Sequence, residues 1–113
     1  MSDWTIIYYH NRKGEKVVRQ EIESFDLVNQ ARIVTLIGIL AKYGFNLCSH
    51  HIKHIKGKIW EIRIDRCRIL YVAFRNHCFL LLRAFIKKTN KTPTSEIKIA
   101  LNRLNDYITR TGE

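Results

Sequence analysis

The sequence predicts an α+β domain, with helices packed on one sheet face and a basic face left open. Three observations carry that prediction. Short apolar and aromatic segments of strand character sit at Trp4–Tyr9 and throughout Ile59–Ile86. Helical spacing of apolar residues separates them and recurs near the end of the chain. The charge is concentrated: residues Lys53 to Lys91 hold eleven Lys and Arg against Glu61 and Asp65, so this third of the chain carries almost all of the formal net charge of +10.

Taken in order, Trp4–Tyr9 is β-branched and aromatic and stops at the turn-forming Asn11–Gly14, which predicts a strand. Val18, Ile22 and Phe25 then fall on one stripe of a short helix. Val34, Ile37, Leu40 and Ala41 mark a second, with Gly44 placed to end it. The two helices should pack as a hairpin. Ile59–Ile64 alternates, with Trp60, Ile62 and Ile64 on one face and Glu61 and Arg63 on the other. Arg68–Phe74 is apolar on both faces after its first residue, as a central strand should be. Cys78–Ile86 follows after a short Arg75–His77 link, so these three strands should run antiparallel. Thr92 is a suitable N-cap, Pro93 suits the first helical position, and Ile97, Ala100, Leu101, Leu104 and Ile108 continue at helical spacing. No linker or repeat interrupts the 113 residues, which read as one domain over 1–113.

The longest apolar runs are too short to span a bilayer, and the first residues lack the pattern of a signal peptide. Three cysteines at irregular spacing suit reduced thiols. A cytoplasmic protein without membrane association is expected. Cys48, His50, His51 and His54 do not form a standard zinc spacing and read as a surface loop, so no metal or other cofactor is expected. There is no P-loop, nucleophile elbow or carboxylate cluster for two-metal chemistry.

The basic face is the candidate site. Arg63, Arg68, Arg83, Lys87 and Lys88 project from neighbouring strands about 5 Å apart and could converge on phosphate. Lys53, His54, Lys56 and Lys58 should enter from a loop before the strands, and Lys91 follows them. Such a face suits nucleic acid. It could also cleave RNA without a metal, because the 2′-OH next to each phosphate can act as the nucleophile. Arginine would hold the charge developing on phosphorus. A lysine crowded by like charges, Lys87 or Lys88, or else His54, would move the proton. Glu61 is read as an orienting partner of Arg63 or Arg68, since a carboxylate would repel phosphate.

These residues occur in motifs that resemble a known family. W-E-I-R, R-I-L-Y, L-L-R-A-F-I-K-K-T-N-K-T-P and E-I-x-x-A-L-N-R, all within Lys53–Tyr107, are similar to the phage-derived HigB-like branch of the RelE/ParE toxin superfamily. The resemblance implies a RelE-like fold and the toxin of a type II toxin–antitoxin pair. It implies an endoribonuclease that cuts mRNA in the ribosomal A site without a metal. A helix-turn-helix antitoxin, encoded nearby, would neutralise it. By position it assigns catalysis to Arg63, Arg68, Lys87 and Lys88. Two departures stand out: Cys67 replaces a common aromatic, and Arg83 replaces a small residue or His. Two other functions remain open at this point, a non-catalytic RNA- or ribosome-binding module and a ParE-like gyrase inhibitor.

Overall fold

A computed structural model describes residues 3–47 and 50–112. The elements run β1 (Thr5–Tyr8), α1 (Val17–Glu23), α2 (Leu27–Tyr43), a 3-10 turn (Gly44–Asn46), β2 (Ile52–Lys56), β3 (Ile59–Ile64), β4 (Cys67–Phe74), β5 (Cys78–Ile86) and α3 (Thr94–Thr111). The fold is α+β with one five-stranded mixed sheet in the order β1-β5-β4-β3-β2. β2 through β5 form an antiparallel meander, and β1 adds to β5 in parallel, Thr5 opposite Cys78.

The segment entering β3 differs from expectation. It is not a loop but the edge strand β2, whose Lys53 lies opposite Glu61 and whose His54 lies opposite Trp60. Cys48 lies outside the described residues. His51 and His54 are each tied to backbone, with His51 Nδ1 2.9 Å from the Arg63 carbonyl and His54 Nε2 2.7 Å from that of Gly57.

The helices α2 and α3 take different sheet faces, and α1 lies against β5, where Glu21 reaches the Ala84 amide and Arg103 of α3. Strand alternation puts Trp60, Ile62, Ile64, Ile69 and Tyr71 on one face, and α2 covers them with Ile33, Leu36, Ile37 and Leu40. Trp4 stacks on Phe79 at 4.3 Å on this side, and Gly44 ends α2 there. Gly44 has φ 55°, and a Cβ would overlap the Trp4 indole, so this position takes only glycine. Val34, expected on the buried stripe, is 62% exposed; the helix turns Ile33 and Leu36 inward instead.

The opposite face carries Val72, Phe74 and Leu80 under α3, where Phe74 meets Tyr107 edge-to-face at 5.5 Å. The sequence placed all helices on one face; α3 instead shares the second face with the basic residues. Phe79, Ile69, Leu70, Leu80, Leu81 and Leu82 are almost wholly buried between the layers, which is why β4 and β5 are apolar on both sides.

α3 is fastened at its far end through Asp106. Tyr9 donates its hydroxyl to Asp106 at 2.6 Å, and Arg12 and Arg110 reach the same carboxylate at 2.8 and 3.0 Å. The Tyr9 hydroxyl above all, then Arg12, holds its pKa down to about 2. A carboxyl depressed in the folded state stabilises above its unfolded pKa and loses that contribution as pH falls through about 2. Asp106→Asn should therefore lower the melting temperature at pH 7 and leave it unchanged near the acid end of that window. Thermal scans at both pH values check this.

Candidate nucleic-acid interface

Half of β5 would have an open edge if nothing followed β1. Leu81 is the last β5 residue opposite β1, and the Tyr9 amide adds one bond to its carbonyl at 3.0 Å. Beyond it, Leu82 and Ala84 turn backbone groups toward α1 and α3. Glu21 of α1 accepts from the Ala84 amide at 3.0 Å, and Arg103 of α3 donates to the Leu82 carbonyl at 2.9 Å. Arg103 also pairs with Glu21 at 2.8 Å, so two side chains substitute for a missing strand.

Arg83 belongs to this network. It donates to Glu21 at 2.6 Å and to Glu96 at 2.7 Å. Burial works against its charge, but Glu96 and Glu21 outweigh that and keep its pKa above the ordinary arginine value. Its Nε and Nη1 are engaged by two carboxylates whose charge offsets its own, which sets it apart from the basic cluster described next. Lys88 is exposed and lines the groove beside this network, along with Gln20, Glu21 and Glu96.

The remaining bases converge around Glu61. Arg63 and Arg68 are opposite one another on β3 and β4, and Lys53 of β2 is opposite Glu61 on the other flank. Lys87, just past β5, is held by main chain: its amide donates to the Arg66 carbonyl at 2.7 Å, while Arg66 donates from its side chain to the Lys87 carbonyl at 3.1 Å. Lys53 is exposed, and Arg63 and Lys87 are half-buried. Partial burial comes first in lowering the Lys87 pKa from the ordinary lysine value. Arg68, Arg63 and Lys53 push the same way, and Glu61 opposes them.

Arg68 lies beneath this surface. It is 6% exposed and donates to the carbonyls of Asp65 at 2.7 Å and Cys67 at 3.0 Å. Its Nε stands 3.7 Å from Glu61, beyond hydrogen-bond length, and among the described residues it has no hydrogen-bond partner. Burial lowers its pKa, Glu61 raises it, and Arg63 lowers it further. Arg68 thus supplies fixed positive charge under the site and holds the β3–β4 turn.

Glu61 is 2% exposed, and the hydroxyl of Thr92 donates to it at 2.6 Å. Thr92 was expected as the N-cap of the last helix; its oxygen is used on Glu61 instead, and Pro93 takes the cap position without a side-chain bond. This contact couples the start of α3 to the centre of the site. Thr92→Val should leave a buried carboxylate oxygen unpaired and cost about 1–2 kcal/mol of stability, read by denaturant unfolding, with Thr92→Ser close to wild type.

His54 falls on the α2 face with Trp60, at 5.0 Å between ring centroids, away from Arg63 and Lys87. Lys56 lies opposite Ile59 at the far end of the β2–β3 hairpin, and Lys91 is exposed in the loop before α3. The structure therefore gathers Lys53, Arg63, Arg68 and Lys87 about Glu61, with Lys56, Lys88 and Lys91 farther out and His54 and Arg83 engaged elsewhere. Thr92 reads in the sequence only as a helix cap, and Glu21 and Arg103 carry no mark there of a role in the site. The threonine-proline step was the signal for the first; nothing local marks the other two. No three His, Cys, Asp or Glu side chains come together as metal ligands among the described residues. Nor is any described helix long and apolar enough to cross a membrane.

Comparison with known proteins agrees with this architecture. A chain of the toxin–antitoxin complex RelBE2 from Mycobacterium tuberculosis superimposes with a TM-score of 0.56 at 16% identity, covering 77% of this chain and 94% of that one. That likeness bears on the fold, which is the RelE toxin fold. None of the curated proteins matches the sequence. Residues 20–105 match the family described as "Phage derived protein Gp49-like (DUF891)". That span takes in the second half of α1, all of α2, the four-stranded meander and most of α3, and the chain belongs to this phage-derived Gp49-like family.

Proposed function

We propose that the protein is the toxin of a type II toxin–antitoxin pair, of HigB-like type, and a metal-independent endoribonuclease that cuts mRNA on the ribosome. One observation carries this reading: a lysine of lowered pKa, Lys87, stands beside Arg63 and Lys53 over the buried Arg68–Glu61 pair. RNA scission needs a group to take the 2′-OH proton and positive charge to hold the pentavalent phosphorus. Lys87 in its neutral form takes the proton. Arg63 faces the two non-bridging oxygens, with Arg68 adding charge from below. The 2′-oxygen bonds to phosphorus, the bond to the 5′-oxygen breaks, and that oxygen leaves with a proton from Lys88 or water. The products are a 2′,3′-cyclic phosphate and a 5′-hydroxyl.

Lys53, Lys56, Lys88 and Lys91 surround the cluster with exposed charge suited to the message and ribosomal RNA. The assembly named for the RelBE2 chain supports an antitoxin as the second partner. The site lies in a protein that works in the cytoplasm on this reading, with no cofactor.

Mapping 5′ ends of cellular mRNA soon after induction tests the proposal. New ends inside translated frames, absent from untranslated transcripts, are expected. Growth arrest with intact message would instead point to a face that binds ribosomes without cutting, and arrest with DNA damage signalling to gyrase.

A further inference from the structure

The basic site occupies one side of the sheet; the most apolar exposed surface lies on the other. Among the described residues, eight large hydrophobic side chains are exposed, and six of them, Leu27, Val28, Val34, Ile39, Tyr43 and Phe45, belong to α2 and the turn after it. Helical geometry puts Leu27, Ala31, Val34, Thr35, Gly38 and Lys42 on the outward side, opposite the buried Ile33, Leu36, Ile37 and Leu40. Leu27 is 80% and Val34 62% exposed.

Gly38 is unexplained by the fold. It lies mid-helix, where glycine costs about 1 kcal/mol relative to alanine, and a Cβ there would meet nothing within 4 Å. A glycine with no internal reason, on an apolar outward face, suits the close approach of something outside.

The charges on this helix are self-complementary. α2 contains no acid, and Lys42 is the base in its last turn. The exposed acids Glu23 and Asp26 sit just before its start. Arg32 is already held by Asn29 and Asp65 at 3.1 Å each.

We infer that α2 is a homodimer contact, pairing antiparallel with α2 of a second copy about an axis between Val34 and Thr35. In that register Gly38 meets Ala31 of the second copy, the two smallest residues on the face, and the helix backbones approach closely. Lys42 comes beside Leu27, Asp26 and Glu23 of the second copy at both ends. The two helix dipoles oppose one another, which is favourable. Because α2 covers the face away from Arg63 and Lys87, pairing leaves both basic faces outward and separated by the full thickness of two molecules, so the net charge of +10 on each copy opposes association little in moderate salt. One helix pair is a small interface, and a dissociation constant on the order of tens of micromolar is expected.

Sedimentation velocity of the full chain from about 5 to 200 μM, in about 0.3 M salt to screen long-range repulsion, tests the contact independently of any nuclease activity. Wild type should move from monomer toward dimer across that range. Val34→Glu should remain monomeric with its melting temperature unchanged, because the side chain is exposed; Ala31→Glu provides a second variant should the first fold poorly. Lys42→Glu should weaken association roughly tenfold, for the loss of two end contacts. A zero-length carbodiimide should join Lys42 to Glu23 or Asp26 between isotopically distinct copies, since the ends of one α2 lie roughly 24 Å apart at 1.5 Å per residue. A monomer throughout, or a dimer indifferent to Val34→Glu, overturns the inference. A monomer would leave this face to a partner of different sequence.

Discussion

Replacing Lys87 with alanine should lower the rate of message cleavage by about a hundredfold or more, the usual contribution of a positioned proton-transfer group, while leaving the fold intact. The side chain is half-buried, and among the described residues the bonds that tie this residue to Arg66 are made by its backbone. Its neighbours Arg68, Arg63 and Lys53 add to burial in lowering its pKa, so a larger fraction is neutral near pH 7 than for an ordinary lysine. The rate should accordingly rise with pH until Lys87 has lost its proton. Lys87→Arg separates charge from proton transfer: arginine keeps the positive charge but does not deprotonate. It should bind RNA nearly as wild type, lose most of kcat, and lose the rising limb of the pH profile. Arg63→Ala should reduce cleavage comparably by removing charge at the phosphate, and Arg63→Lys should recover part of it. Near-normal cleavage by Lys87→Ala at neutral pH would remove Lys87 from the mechanism.

The second large effect concerns stability. Glu21→Ala should destabilise the protein by about 3 kcal/mol, because it breaks four bonds at once in a partly buried network. Arg83 and Arg103 would each lose a carboxylate, and the Ala84 amide would lose its acceptor. The side chains are about one-fifth exposed, which keeps the figure below that of a fully buried pair. For a domain of this size the melting temperature should fall by about 10 °C. Glu21→Gln should fall between, since an amide retains one acceptor for Ala84 but not the charge. A change of under about 2 °C for Glu21→Ala would mean that the β5 edge is satisfied by water and the network is incidental.

These two effects show where sequence reasoning reaches and where it stops. The strands β3, β4 and β5 were legible because burial of one or both faces imposes alternation or continuous apolarity, and their ends agree with the structure to within a residue. Gly44 was legible because an abrupt positive φ after an apolar helix leaves few other choices. β2 was not: Ile52–Lys56 reads IKHIK, an edge strand paired on one side only, whose exposed positions carry bases instead of a strand pattern. Which face α3 covers was also hidden, because amphipathicity specifies that a helix packs and not on which side of a sheet.

Among the site residues, Arg63 and Lys87 can be placed together from strand alternation and charge alone, whereas Lys53 reads as part of a loop and comes opposite Glu61 only because that segment pairs as β2. The burial of Arg68 cannot be read that way, since it depends on Glu61 and the turn carbonyls. Arg83 shares a strand face with Lys87 and looks equally available in sequence, but its partner Glu21 is 62 residues away. Thr92 was noticed for its capping chemistry, and only the folded chain shows that its hydroxyl belongs to Glu61.

The most direct test of the central claim uses purified protein and ribosomes stalled with a defined codon in the A site. Two messages would be compared, one all-ribose and one with a single 2′-deoxy nucleotide at the cleaved position. Cleavage of the first to a 2′,3′-cyclic phosphate and a 5′-hydroxyl is expected, with no cleavage of the second at that bond and loss of the reaction with Lys87→Arg. Cleavage of the deoxy message at the same position, or an unchanged rate with Lys87→Arg, would contradict the claim.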